Sequence, residues 1–176
     1  MSARPKTCRR SAPWCAVRPE RAAVALAACL FALAAAGAAS AGVASCSVST
    51  GAVAFGGYDA AADTDSSGYV DVQCTCTPVG DCTDLPYTLE IQAGASASLS
   101  PRRMERSGGT ETLDYHLYRD SNRTLVWTTG PNALGRTYGA LQFESPQQSI
   151  VYGRIPSGQH VRPGSYGETP TVSLIY

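Results

Sequence analysis

Beyond residue 42, apolar and polar residues alternate with a period of two along much of the chain. Residues 68–74 place Val70, Val72 and Cys74 on one face. Residues 87–91 set Tyr87, Leu89 and Ile91 against Thr88 and Glu90. In residues 113–118, Leu113, Tyr115 and Leu117 oppose Asp114, His116 and Tyr118. Residues 124–127 and 149–155 read as further strands, and in 171–176 Val172, Leu174 and Tyr176 share a face. Successive side chains of a strand point to opposite faces, so the pattern predicts half-buried antiparallel strands; helical periodicity is poor throughout. Asp120-Ser121-Asn122 reads as a hairpin connection, Pro156-Ser157-Gly158 and Pro163-Gly164-Ser165 as turns, and residues 93–109 as a polar loop. Short strands at this spacing predict an all-β, two-sheet sandwich.

The N-terminus follows a different rule. Arg4, Lys6, Arg9, Arg10, Arg18 and Arg21 precede an apolar run over residues 22–36. At about 15 residues it is shorter than the roughly 20 that a bilayer span needs, and it suits the core of a signal peptide. Ala39-Ser40-Ala41 supplies a cleavage pattern, so residues 1–41 are expected to be a signal peptide and 42–176 the domain. An uncleaved anchor is one alternative. Lipidation at Val43-Ala44-Ser45-Cys46 is another, but it would consume Cys46 and leave three cysteines. Arg9-Arg10 is too weakly flanked for a twin-arginine signal. The chain is formally neutral, yet residues 42–176 carry eight arginines and no lysine against thirteen carboxylates, a net charge near −5. Without a basic patch, nucleic acid is not an expected partner. The length suits one core.

Cys46, Cys74, Cys76 and Cys82 fall in the domain, an even number suited to two structural disulfides in an oxidising compartment. Three pairings are open. The expected one is Cys46–Cys74 with Cys76–Cys82, because a bridge between residues 74 and 76 would be strained within one strand. As zinc ligands these cysteines lack paired knuckle spacing, and there is no Cys-x-x-Cys for disulfide exchange. Asp63-Thr64-Asp65-Ser66-Ser67-Gly68 opens like a calcium loop, but the position needing a bidentate glutamate is Cys74, so it reads as a polar turn. His116 shares a face with Asp114 without a nucleophile elbow, and His160 has no clear companion. Glu105, Glu111, Glu144 and Glu168 do not declare a glycosidase pair, and Gly56-Gly57 lacks the strand-to-helix setting of a phosphate loop. Asn122-Arg123-Thr124 is a formal glycosylation sequon. No catalytic, cofactor-binding or metal-binding residue is assigned, and no cofactor or enzyme activity is expected.

Specific motifs then occur in a familiar order. Cys46-Ser47-Val48-Ser49 runs into Val53-Ala54-Phe55-Gly56-Gly57-Tyr58-Asp59. Ser67-Gly68-Tyr69-Val70-Asp71-Val72-Gln73-Cys74-Thr75 follows, then Tyr87-Thr88-Leu89, Ala93-Gly94 and Arg103-Met104. Leu113-Asp114-Tyr115-His116-Leu117-Tyr118-Arg119-Asp120 continues into Arg123-Thr124-Leu125-Val126-Trp127. Tyr152-Gly153-Arg154-Ile155-Pro156-Ser157-Gly158-Gln159 and Pro163-Gly164-Ser165-Tyr166 lead to Thr171-Val172-Ser173-Leu174-Ile175-Tyr176. Over residues 46–176 the chain resembles the spore coat protein U domain family, the domain of subunits of archaic, Csu-type chaperone–usher pili.

The resemblance implies an incomplete immunoglobulin-like Greek-key sandwich lacking its final strand. A periplasmic chaperone would fill the exposed groove. A neighbouring pilus subunit would later replace it as strand donor at the outer-membrane usher. The chain would then be secreted through the periplasm to the cell surface or fimbrium as a structural or adhesive subunit. The groove is expected to have Val172, Leu174 and Tyr176 on one wall, with Val48 and Phe55 on the other. Cleavage after Ala41 would leave four small residues before Cys46, too few to donate a strand. That suits a strand acceptor at a fibre end or a non-polymerising coat protein. Pro170, beside the last strand, is a second departure. The competing readings are a self-contained secreted monomeric binding domain, which would fold unaided, and a secreted hydrolase, which would need a polar catalytic pocket.

Overall fold

The computed structural model describes residues 42–176; the expected signal peptide over 1–41 lies outside the described residues. Nine strands form among them: β1 Val43–Gly51, β2 Thr64–Thr77, β3 Leu85–Ile91, β4 Arg102–Arg106, β5 Thr112–Tyr118, β6 Leu134–Tyr138, β7 Gln147–Ile155, β8 Tyr166–Gly167 and β9 Val172–Ile175. One sheet has the order β1-β2-β7-β5-β4-β8 and the other β6-β3-β9, and all the paired strands run antiparallel.

The alternating positions make the core. Val70, Val72, Leu117 and Val151 of the larger sheet belong to one buried cluster with Tyr87, Leu89, Ile91 and Tyr138 of the smaller. Apolar faces of two sheets remove each other from water, and the result is an immunoglobulin-like β-sandwich. Trp127 is fully buried between these layers, and its indole N–H donates to the Leu89 carbonyl at 3.0 Å. A buried indole needs that partner. β1 pairs with β2 along its whole length, from Val43 opposite Thr77 to Gly51 opposite Tyr69. Disulfides join Cys46 to Cys74 across this pair and Cys76 to Cys82 within the following excursion.

Three local readings change. The expected loop over 93–109 contains β4, whose inward residues are Arg102 and Met104. The alternation was masked because a charged residue occupies a core position. Arg102 is tolerated there because its guanidinium donates to the carbonyls of Ile91 at 2.7 Å and Gln92 at 2.8 Å. The strand expected at 124–127 shrinks to a single bridge between Tyr118 and Val126. The Asp120 carboxylate accepts from the N–H groups of Thr124 and Leu125 and from the Thr124 hydroxyl, folding the segment into a turn. β6 was not foreseen, since its central Gly135-Arg136-Thr137 is exposed and shows no apolar alternation.

Candidate binding cleft

After β1 the chain leaves the sheet edge and crosses β7 at Gly153. A Cβ on Gly153 would lie 2.6 Å from Val53 Cγ1 and 2.7 Å from Phe55 Cζ, so only glycine admits this approach. Phe55 then meets Tyr115 edge to face at 5.9 Å. Tyr58 anchors the segment by donating to the Pro156 carbonyl at 2.9 Å and accepting from the Gln159 N–H at 3.0 Å. Residues 50–60 thus form one wall of a cleft, and residues 159–172, leading into β9, form the other.

Two adjoining cavities occupy the cleft, one of about 660 Å³ and one of about 370 Å³. The larger touches Leu113 and Ile155; the smaller touches Val70, Ile91, Leu117 and Val151. Val53, Phe55, Met104 and Glu168 border both. Its floor is therefore largely the inward face of the larger sheet, with Ile91 of β3 contributing from the smaller one.

Backbone geometry adds a second property. β9 pairs with β3 on one side, and no strand among the described residues pairs with its other edge. The Gln92 N–H donates to the Thr171 carbonyl at 2.8 Å, and Ser173 and Ile175 follow in the same register. In an antiparallel ladder the alternate residues, Val172 and Leu174, therefore direct N–H and C=O off the open edge. β1 is likewise an edge strand. Cys46 and Cys74 face each other with Cα atoms 4.0 Å apart, the close spacing of a pair that exchanges no backbone bonds. The Cys46 N–H points away from β2 and donates to the Tyr176 hydroxyl at 3.3 Å.

The five residues singled out from sequence take different places. Phe55 and Val172 line the smaller cavity. Val48 and Leu174 are half-buried against the core but outside both cavity linings. Tyr176 is exposed and reaches across to β1. Sequence reasoning missed Val53, Met104, Val151 and Glu168 as cleft residues. Val151 had a signal, since it lies in a segment already read as a strand; Glu168, in a turn-rich stretch, had none.

Glu168 is the acidic group bordering the otherwise largely apolar middle of the cleft. Its Oε2 accepts from the Tyr115 hydroxyl at 2.5 Å and its Oε1 from Ser96 at 3.0 Å. Burial, then the neighbouring carboxylate, pushes the Tyr115 hydroxyl's pKa well above its ordinary value. Burial lowers that of Arg102, an effect opposed by Tyr115 and Glu168. The other candidate groups are engaged separately. Asp114 pairs with Arg103 at 3.3 Å, while His116 Nδ1 lies 3.5 Å from Ser100 Oγ. Glu111 pairs with Arg106 and Arg162, and Glu144 accepts from the Cys76 N–H. Asp63 accepts from the Ser157 N–H, and Asp65 holds Arg154. Asp114 and Asp65 make cross-strand pairs and the others hold nearby backbone or arginines, and no group of three metal-ligand side chains forms among the described residues.

The profile of the Spore Coat Protein U domain family matches residues 32–173, and the chain belongs to that family. It is similar to Protein U of Myxococcus xanthus, with 32% identity over 133 residues that cover 72% of each chain. Among solved structures it is similar to a chain of the CsuC–CsuE chaperone–tip adhesion subunit pre-assembly complex from archaic chaperone–usher Csu pili of Acinetobacter baumannii. That likeness has a TM-score of 0.52 at 18% identity, over 76% of this chain and 40% of the other. It is a likeness of fold, and this chain spans about two-fifths of that chain's length.

Proposed function

We propose that this chain is an exported structural or adhesive subunit of a surface fibre or coat, completed by a β-strand from another polypeptide. The observation that carries the reading is the cleft between residues 50–60 and 159–172, lying beside the unpaired edge of β9. An extended segment entering there would gain backbone partners at Val172 and Leu174 and place alternate side chains in the cavities. A cleft open to water costs hydrophobic stabilisation that such a strand would restore.

Membership of the family supports the same reading, as does the solved neighbour, a subunit complex described as a chaperone–tip adhesion pre-assembly. The first occupant is a periplasmic chaperone, with an outer-membrane usher and a neighbouring subunit acting at assembly. Residues 1–41 act as a signal peptide, and the role is structural rather than catalytic.

Co-expression in the periplasm with and without a chaperone of this class tests the proposal. Soluble yield is expected to depend strongly on the chaperone, with intact mass corresponding to residues 42–176 and two disulfides. A free monomer as stable as the complemented protein would overturn strand acceptance and favour the self-contained binding domain.

A further inference from the structure

Resting on that reading, the cleft also contains a device that sets the register of the strand it accepts. Leu113, Tyr115 and Leu117 are successive inward positions of β5. Leu113 borders the larger cavity and Leu117 the smaller, while Tyr115 holds the Glu168 carboxylate between them. The strands of packed sheets run within about 30° of each other, and alternate residues of any strand share one face. A segment aligned with β5 therefore presents three consecutive inward side chains to these three stations.

The side chains at the outer stations, Leu113 and Leu117, are apolar and the central one is not, although Gln159, His160, Arg162 and Ser165 also line the larger cavity. Glu168 borders both cavities and already accepts from Tyr115 and Ser96. Covering it with a large apolar side chain would strip water from a carboxylate and supply nothing in return. A glycine leaves room for water, and a serine or threonine offers a hydroxyl donor. A cation gains less, because it must leave water for a carboxylate whose two oxygens already accept from Tyr115 and Ser96.

We infer that Glu168 is a specificity-determining residue, selecting a donor strand with a small or hydroxyl-bearing residue at its central inward position and large apolar residues two places to either side. A donor displaced by two residues would set a large apolar side chain on Glu168 and be rejected, so the carboxylate fixes register as well as sequence.

The test uses the chain released from its chaperone in the presence of short synthetic peptides. Each carries valine or isoleucine at the flanking inward positions and Gly, Ser, Leu or Lys at the central one. Competition measured by fluorescence anisotropy is expected to rank Ser and Gly at least about tenfold tighter than Leu, with Lys no tighter than Ser. Glu168→Ala should bring Leu to within about twofold of Ser. Glu168→Gln keeps an acceptor for Tyr115 and guards against misfolding of the alanine variant; it should narrow the gap to about threefold. Leu or Lys binding as well as or better than Ser to the unaltered chain, or discrimination unchanged in Glu168→Gln, overturns the register role and leaves strand acceptance standing. Failure of every peptide to bind removes both.

Discussion

The hydroxyl of Tyr176 accepts a hydrogen bond from the backbone N–H of Cys46 at 3.3 Å, joining the open edges of β1 and β9. One side chain thus occupies a backbone donor that an incoming strand would otherwise meet. The ring itself is more than half exposed, so the contact contributes little packing. An exposed neutral hydrogen bond is worth about 0.5–1.5 kcal/mol net. Tyr176→Phe is therefore expected to lower stability by no more than about 1.5 kcal/mol while speeding association of a donor peptide. Stopped-flow mixing reads the rate, and a slower or unchanged association would show that the contact does not guard the edge.

Gly153 is where the wall of the cleft meets its floor. Val53 and Phe55 approach its backbone so closely that a methyl group would need both side chains to move. Gly153→Ala is expected to cost about 1–3 kcal/mol, as overpacking of a formed core does. It should also loosen residues 50–60, raising their amide exchange in the complemented protein. Unchanged exchange together with unchanged stability would mean that the wall is not held by this contact.

How far the fold could be read from residues alone follows from which contacts are local. Leu113, Tyr115 and Leu117 announce their strand and its inward face by alternation, and they also floor the cleft. Alternation shows which face is buried but not where the facing sheet stops. Val48 and Leu174 pack against the core cluster outside both cavity linings, while Val53 and Val151, which do line the smaller cavity, went unnoticed. β4 was hidden for a different reason. Its inward Arg102 looks like a surface residue until the distant carbonyls of Ile91 and Gln92 are brought to it. Glu168 was invisible in the same way, since its partners Ser96 and Tyr115 lie far off in the chain.

Arg102 gives a sharp test of that packing. Its side chain is completely buried and bonds two main-chain carbonyls at the end of β3, although its Nε has no partner. Replacement by methionine preserves much of the volume but orphans both carbonyls. Each unsatisfied buried group costs about 1–3 kcal/mol, so Arg102→Met is expected to lose about 2–5 kcal/mol. Lysine carries the charge without the planar fork and should recover only part of the loss. Urea titration of the peptide-complemented chain checks both. Equal stability of the methionine variant would show that the carbonyls find other partners.

Acid acts on the cross-strand pair of Asp65 on β2 and Arg154 on β7. Arg154 holds both oxygens of Asp65, at 2.7 and 2.8 Å, and Arg123 lies 3.3 Å from the same carboxylate. The hydrogen bond from Arg154 is the main reason the Asp65 carboxyl titrates below its ordinary 3.8, and it outweighs partial burial. The unfolded chain therefore takes up this proton more readily than the folded one. The resulting stabilisation is complete above 3.8 and disappears as pH falls through the lower folded value. Because the pair is partly exposed, it is worth no more than about 1 kcal/mol, and salt should weaken it. Asp65→Asn is expected to be slightly less stable at neutral pH, to fall less steeply below about pH 4, and to converge with the unaltered chain at still lower pH. Thermal melts of the complemented protein across that range measure the slopes. Parallel curves would place the acid sensitivity in another carboxylate, with Asp63 the first to examine because the Ser157 N–H also holds its pKa down.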